Sequence, residues 1–391
     1  MTRQVLIVGA GIGGLSAALA ASRAGWLPRL YEQAPHLSEV GAGIQLGPNT
    51  TRILHSWGLD RALAQVAAFP QRLRVRSAHD GGELGTLALG DTLAQRYGAP
   101  YACVHRADMQ ALLLEAARME GVVPVLASRV SAVVAFGDAV ALRVKGGAEV
   151  EGDALIGADG LWSRVRELIW RDGPPPATGH VAYRSVASQE GLPPALRTQD
   201  VNVWLGPRMH LVAYPVRGGD ALNVVVLVEG RSSGPADDWD QHAVTAELQR
   251  AMGESCAPLR DLVNAMPGWR LWSLHDRAPM RSADAMAQGC VALLGDAAHP
   301  MRPYFAQGAG MAIEDARELG RALSSVGGPI DVPLALRRYA LNRWQRVARV
   351  QGLSRRNGRI FHAMGPVRWA RDLAMRVMGE RLLDQPWLYG E

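Results

Sequence analysis

The pattern Gly9-x-Gly11-x-x-Gly14 constrains this chain more than any other feature. It follows an apolar, β-branched run at residues 4–8 and precedes a small-residue stretch that ends near Gly25. That order reads as strand, tight turn and helix. The first glycine permits the turn, the second lets a pyrophosphate approach the backbone, and the third lets helix and strand pack closely. The helix start offers unpaired N–H groups and the positive end of its dipole. Taken alone the pattern is weak, because glycine-rich turns occur without ligands. Here the next strand-like run, LPRLYEQ, ends at Glu32, where a carboxylate can accept the hydroxyls of an adenosine ribose. The combination reads as a dinucleotide site, against the blander alternative of an empty turn.

The chain is 391 residues long, which suits two compact units and a helical tail. Hydrophobic residues make up 48% and charged residues 20%, which argues against long disorder. A net charge of +5 raises the question of nucleic acid, but Lys145 is the single lysine and the arginines are scattered. They read as solvated surface charge, with no nucleic-acid partner. Cys103, Cys256 and Cys290 are too dispersed for a disulfide framework or a zinc site, and no metal is expected. No run approaches the roughly 18 apolar residues of a membrane span. The expectation is a cytoplasmic protein, monomeric or homodimeric.

Further along, residues 104–120 have helical spacing, and strand-like runs near 130–135 and 140–144 meet around Gly137-Asp138. DALIGADG reads as a buried strand entering a turn. After Gly173-Pro174-Pro175-Pro176 the pattern alternates like antiparallel strands in HVAYRSVA, DVNVWLG, HLVAYPV and ALNVVVLVE, followed by a helix near 242–252. GCVALLGDAAHP returns to a buried strand, residues 307–323 read as a helix, and the chain beyond Pro333 is mainly helical. The fold class is therefore α/β: a Rossmann-like dinucleotide-binding domain, an interleaved antiparallel-sheet substrate domain and a helical C-terminus. The boundaries we expect are 1–72, 98–173 and 275–330 for the first, 73–97 and 174–274 for the second, and 331–391 for the third. In the last of these, Trp369, Leu373, Val377 and Met378 fall near one helix face, for which packing on the protein's own core is the plainest reading.

Two more motifs carry chemistry. Gly157-Ala158-Asp159-Gly160 ends a strand, although Asp-Gly is by itself a common turn. Gly295-Asp296-Ala297-Ala298-His299-Pro300 is followed by Gln307-Gly308-Ala309-Gly310-Met311 and Glu314-Asp315. An Asp at a strand end can bond a ribityl or ribose hydroxyl. The glycines opening the next helix present N–H groups that can stabilise negative charge on a reduced flavin.

In this order, and with GAGIQLGPN at 41–49, HRADMQ at 105–110 and TGHVAYR at 178–184, the chain resembles the single-component FAD-dependent aromatic hydroxylases. Among them it is most similar to the 3-hydroxybenzoate 6-hydroxylase, 6-hydroxynicotinate 3-monooxygenase and salicylate hydroxylase group. The resemblance implies bound FAD, NADH or NADPH as transient co-substrate, and O2 attacking a small phenol or pyridinol through a flavin C4a-hydroperoxide. It further implies that Gly9, Gly11, Gly14, Glu32 and Gln33 hold the ADP half of FAD, with Gly43, Ile44, Arg106 and Gln110 as further contacts. Asp159 would serve FAD and the nicotinamide cofactor, Asp296 the ribityl or pyrophosphate region, and Gly308, Ala309, Gly310 and Met311 the isoalloxazine ring. No second Rossmann domain is expected for NAD(P)H.

The departures fall at ring-facing positions. Where relatives carry a His or Tyr that assists the substrate hydroxyl, the alignment offers Ala213, which can do neither. Pro303 and Tyr304 stand where a Gln or His is common. Tyr214, His210 or Tyr304 then takes the role, or the register slips by one residue, which reverses the faces of a strand. Arg184 and Arg302 are candidates for clamping a substrate carboxylate, against a plain reading as surface or interdomain arginines. His299 reads better as structural than as acid–base. Two rival functions share the first fingerprint: a flavin oxidase or dehydrogenase, and a non-catalytic flavin-binding redox protein.

Overall fold

The computed structural model describes residues 3–37, 42–136, 139–147, 149–231, 234–328 and 331–390. The Gly137-Asp138 junction and Gly41 of the 41–49 stretch lie outside the described residues. The chain divides into two compact units, residues 1–39, 110–176 and 275–354 in one, residues 40–109, 177–274 and 355–391 in the other.

The first unit is built on a five-stranded sheet ordered Ala287–Gln288, Val291–Leu293, Ala154–Gly157, Gln4–Val8 and Leu27–Tyr31, parallel except at its first pair. Helices cover parallel sheets, so the inner strands are continuous apolar runs, as at Ala154–Gly157 and Val291–Leu293, buried throughout. The Ile12–Arg23 helix follows the first strand and stops before Gly25, which adopts φ +81°. It packs on the Gly308–Leu323 helix so tightly that a Cβ at Gly320 would lie 3.0 Å from Ala20 O. A separate antiparallel sheet of Val130–Phe136, Ala139–Val144 and Glu149–Gly152 completes this unit's strands among the described residues.

The second unit centres on an eight-stranded sheet. Its order is Gln241–Ala243, Trp269–His275, Ala177–Ser188, Ala221–Glu229, Met209–Val216, Val201–Gly206, Arg72–Ser77 and Glu83–Ala88. The four runs expected to alternate do pair antiparallel, while Arg72–Ser77 joins Val201–Gly206 in parallel. Alternation sorts the Met209–Val216 strand onto two cores. Met209, Leu211 and Ala213 pack with Leu248, Leu259 and Val263 of helices Thr245–Met252 and Ala257–Ala265. Tyr214 and Val216 pack with Leu87, Tyr101 and Cys103 on the opposite face.

Three features differ from the sequence reading. The helix near 242–252 begins at Thr245, because Gln241–Ala243 pairs with Trp269–Leu271 as a strand. The strand Gly43–Leu46, paired with Ala102–His105, was not expected. The apolar stripe of the C-terminal segment does not pack on the core. In the Gly365–Met378 helix, Trp369, Leu373 and Val377 are exposed, and Met375 and Arg371 are the buried residues. Arg371 satisfies its charge with Asp372 and the carbonyls of Ile360 and Phe361, and so holds the opposite face inward.

Candidate active site

In the first unit the glycine loop is fixed by contacts that only glycine allows. Gly9 has φ +99°, and a Cβ there would lie 2.4 Å from Ala158 O; a Cβ at Gly14 would lie 1.7 Å from Gly9 O. At Gly11 an added Cβ meets nothing within 4 Å. The turn thus closes on one side and leaves a cradle on the other, above a helix whose N-cap makes no side-chain hydrogen bond. Glu32 stands beside it. Its two carboxylate oxygens accept from Ala10 N (2.8 Å) and Ala34 N (2.9 Å), which orients the group and leaves each oxygen a second lone pair. Gln33 is exposed. Gln110 donates from Nε2 to Ala10 O at 3.0 Å, so this residue braces the loop itself.

Asp159 has a local task. Its oxygens accept from Ser163 Oγ, Arg164 N and Val165 N, capping the Arg164–Ile169 helix. Burial raises its pKa against the pull of those hydrogen bonds. Asp296, by contrast, is exposed on the one-turn segment Gly295–Ala297.

That turn is gripped from two sides. Arg166 donates to Ala297 O and Ala298 O while paired with Asp172. Asp315 Oδ2 accepts from Gly295 N (3.1 Å) and His299 Nε2 (2.5 Å), and its Oδ1 accepts from Arg343 Nε (2.7 Å). Burial alone would raise the Asp315 pKa, but His299 and Arg343 outweigh it and hold the carboxyl down at about 2. His299 therefore anchors the turn, as the structural reading had it. Past the turn, Ala306 is forced to φ +50°, a strained conformation for a residue with a Cβ. Gly308, Ala309, Gly310 and Met311 then open the next helix, again with no side-chain cap, and a Cβ at Gly308 would meet nothing within 4 Å. Two uncapped helix starts with open glycine cradles, and a carboxylate at a strand end, fit an FAD molecule.

Tyr304 is buried in this unit. Arg302 donates from Nε to the buried carboxylate of Asp276 at 2.9 Å, an internal ion pair.

In the second unit, Gly43 and Ile44 lie on a strand next to Arg106, whose N–H donates to Ala42 O. Gly43 N donates to Asn223 Oδ1 at 2.8 Å, and its Cα faces the Tyr214 ring. The Ala213 departure loses its force here, because Ala213 points into the core on the helix side. His210 and Tyr214, four residues apart, share the other face of the strand. Burial drives the Tyr214 pKa far up, so its hydroxyl keeps its proton. Burial, with His362 and His180 close by, holds His210 well below the usual range and leaves its imidazole neutral. Arg184 is buried, donates to Trp239 O at 3.0 Å, lies 3.5 Å from Asp240, and stacks 4.8 Å from the Trp272 ring.

Sequence reasoning noted Arg166 just after the Gly157–Gly160 motif and Glu314-Asp315, each without a role, and missed Arg343 and His362. No local signal separated Arg343 from the many other arginines, since its meaning comes from pairing with Glu314 and Asp315 on another helix.

A parallel sheet with a glycine cradle, a strand-end carboxylate and a second uncapped helix define an FAD-binding fold. The chain matches the FAD binding domain family over residues 2–352 and belongs to it, as an FAD-dependent aromatic-ring monooxygenase. It is 40% identical to the 3-hydroxybenzoate 6-hydroxylase of Polaromonas naphthalenivorans (strain CJ2), covering 99% of this chain and 95% of that protein. It is 36% identical to the 3-amino-4-hydroxybenzoate 2-monooxygenase PtnB3 of Streptomyces platensis, covering 99% and 96%. Among solved structures, Klebsiella pneumoniae HpxO complexed with FAD and uric acid superposes with a TM-score of 0.85 at 26% identity, covering 97% of this chain and 94% of that one. No helix among the described residues is long and apolar enough to cross a membrane.

Proposed function

We propose that the substrate is a small hydroxylated aromatic carboxylate of the hydroxybenzoate or hydroxypyridine-carboxylate class. The observation that carries this reading is the end-to-end match to a 3-hydroxybenzoate 6-hydroxylase. FAD, when bound, would supply the redox chemistry that passes two electrons from NADH or NADPH to O2, with one oxygen atom entering the ring and the other leaving as water.

The protein's own residues do the rest. Gly9, Gly11, Gly14, Glu32 and Gln33 hold the adenosine diphosphate half. Asp296 and the Gly308–Met311 helix start face the flavin half, and Gly43, Ile44, Arg106, Gln110 and Asp159 act as contacts or braces of that site. His210, neutral and buried, accepts the proton of the substrate hydroxyl, which leaves the electron-rich phenolate that oxygen attack requires. Tyr214 donates a hydrogen bond to the same oxygen, since its own proton is held; Tyr304 is the second candidate donor. Arg184 clamps the carboxylate, as a buried guanidinium positioned by Trp272 and the Trp239 carbonyl. Arg302 is the weaker candidate, being compensated by Asp276.

By function we divide the chain into an FAD-binding part (1–72, 98–173, 275–330), a substrate-binding part (73–97, 174–274) and the C-terminal helices (331–391). We place it in the cytoplasm, as its three free cysteines suit a reducing compartment. We take it as a monomer or homodimer without nucleic-acid partners.

The test is NADH and NADPH oxidation by the FAD-loaded protein with 3-hydroxybenzoate, 3-amino-4-hydroxybenzoate and 6-hydroxynicotinate, with product masses recorded. Stimulated oxidation with one oxygen added to the ring supports the reading. No stimulation by any of the three overturns the substrate class.

A further inference from the structure

His210 does not stand alone. Its Nδ1 lies 2.9 Å from Nε2 of His362, so the two rings share one proton. The ring centroids are 5.1 Å apart, and Phe361 meets His210 edge-on at 5.3 Å. His362 comes from the end of the long Val332–Phe361 helix, 152 residues away in sequence. Beyond it, His362 Nδ1 lies 3.7 Å from Glu229 Oε1, and the His180 ring lies 5.2 Å from the His362 ring. Accessibility rises along this line. The His362 side chain is 1% exposed, and the Glu229 side chain is 41% exposed.

We infer that His362 is the second member of a proton relay that carries the substrate hydroxyl proton from His210 to Glu229 and solvent. This rests on the reading of His210 as the acceptor of that proton. A buried imidazole that accepts a proton becomes a buried cation, which is costly unless the charge moves on. The relay removes the charge in one concerted shift. The substrate O–H bond breaks and a proton joins His210 Nε2; the Nδ1 proton of His210 passes to His362 Nε2; the Nδ1 proton of His362 passes to Glu229 or water. Both imidazoles end neutral with their tautomers exchanged, the substrate ends as the phenolate, and one proton has left the site. The groups facing the pair are His180, Glu229 and Arg208. The Arg208 guanidinium lies 3.7 Å from Glu229, and the Arg208 N–H donates to His362 O at 3.1 Å. Arg208 thus lies beside the Glu229 carboxylate and holds the His362 backbone in place.

The experiment uses the FAD-loaded full chain, oxidised and without NAD(P)H. Whichever of the three probes above stimulates the wild type most is mixed with it in a stopped-flow instrument. A pH indicator reports proton release, and the ultraviolet difference spectrum reports phenolate. We expect His362→Gln, which keeps a polar side chain but cannot pass a proton on, to slow proton release by on the order of tenfold or more at neutral pH. FAD affinity should be unchanged, the rate should recover as pH rises, and imidazole should partly rescue His362→Ala. His210→Gln should abolish phenolate formation. Release at the wild-type rate in His362→Gln overturns the relay while leaving His210 in place. Release at the wild-type rate in His210→Gln overturns the reading of His210 itself. If His362→Gln does not fold, Glu229→Gln decides the matter: slower release supports the relay and an unchanged rate overturns it. A wild type that responds to none of the probes overturns the relay with the substrate reading.

Discussion

Gly43 and Tyr214 touch so closely that a Cβ at position 43 would come within 2.5 Å of Tyr214 Cε2. The constraint is space rather than backbone conformation, and the Tyr214 ring is already buried among Cys103, Tyr101 and Val216. We expect Gly43→Ala to push Tyr214 out of place. Overpacking should cost about 1–3 kcal/mol of stability in denaturant titration. KM for the aromatic substrate should rise several-fold, and wild-type KM in a destabilised variant would remove Tyr214 from the substrate's surroundings.

The glycines of the cofactor cradles separate into two kinds. Gly9→Ala would force a Cβ into the Ala158 carbonyl at positive φ, so we expect poor folding. Gly308→Ala meets open space in the protein and should fold normally. If that space belongs to the flavin, Gly308→Ala should nevertheless lose FAD affinity by about tenfold, measured by fluorescence titration of the apoprotein. Full affinity would assign the space to solvent.

Glu32 is held by two backbone N–H groups of its own unit and offers two further acceptor sites. We expect Glu32→Ala to remain folded and to bind FAD at least tenfold more weakly, because hydrogen bonds to a charged acceptor each contribute about 1.5–3 kcal/mol. Unchanged FAD affinity in the purified variant would sink the assignment.

The sequence made the cofactor half of this protein legible because its signals are local. A strand, a turn and a helix occupy Gln4–Arg23, so the glycine pattern reads within one short segment, although the contact that requires Gly9 comes from Ala158 on a distant segment and only Gly14 is required by its neighbour Gly9. The antiparallel sheet was readable from period-two alternation. Which face of a strand meets which core was not, and Ala213 shows why. Alternation gives parity, but only the helices Thr245–Met252 and Ala257–Ala265 on one side decide that position 213 joins their core and position 214 the core on the opposite face. The pairs Arg343–Asp315 and His210–His362 join segments far apart in sequence, and nothing in either segment announces the other.

Arg184 stacks on Trp272 and lies 3.5 Å from the half-exposed Asp240. We expect Arg184→Met to raise KM for a carboxylated phenol by about tenfold or more while changing KM for the neutral parent phenol little. Equal effects on both would place Arg184 outside the substrate's reach and leave it a support of the Trp239 backbone.

Asp315 joins the Gly295–Ala297 turn to the long helix, and its ionisation state should govern acid stability. In the folded protein its pKa is held down to about 2, below the ordinary carboxylate value of 3.8. Above about pH 4 the carboxylate is ionised whether the chain is folded or not, and the full stabilisation is present. As pH falls toward 2 the unfolded chain takes up the proton first, and stability drains by on the order of 2 kcal/mol. Asp315→Asn should remove this acid-dependent component. At neutral pH it should also destabilise the protein by about 3–5 kcal/mol, because Arg343 would be left buried with Glu314 as its one remaining paired carboxylate. Arg343→Met in the Asp315→Asn background should recover part of that loss, since a buried ion pair replaced as a unit costs less than one partner removed. Denaturant titrations of the three proteins between pH 2 and 7 check this. A double variant no more stable than Asp315→Asn would show that the pair acts through the Gly295 turn rather than through its charge.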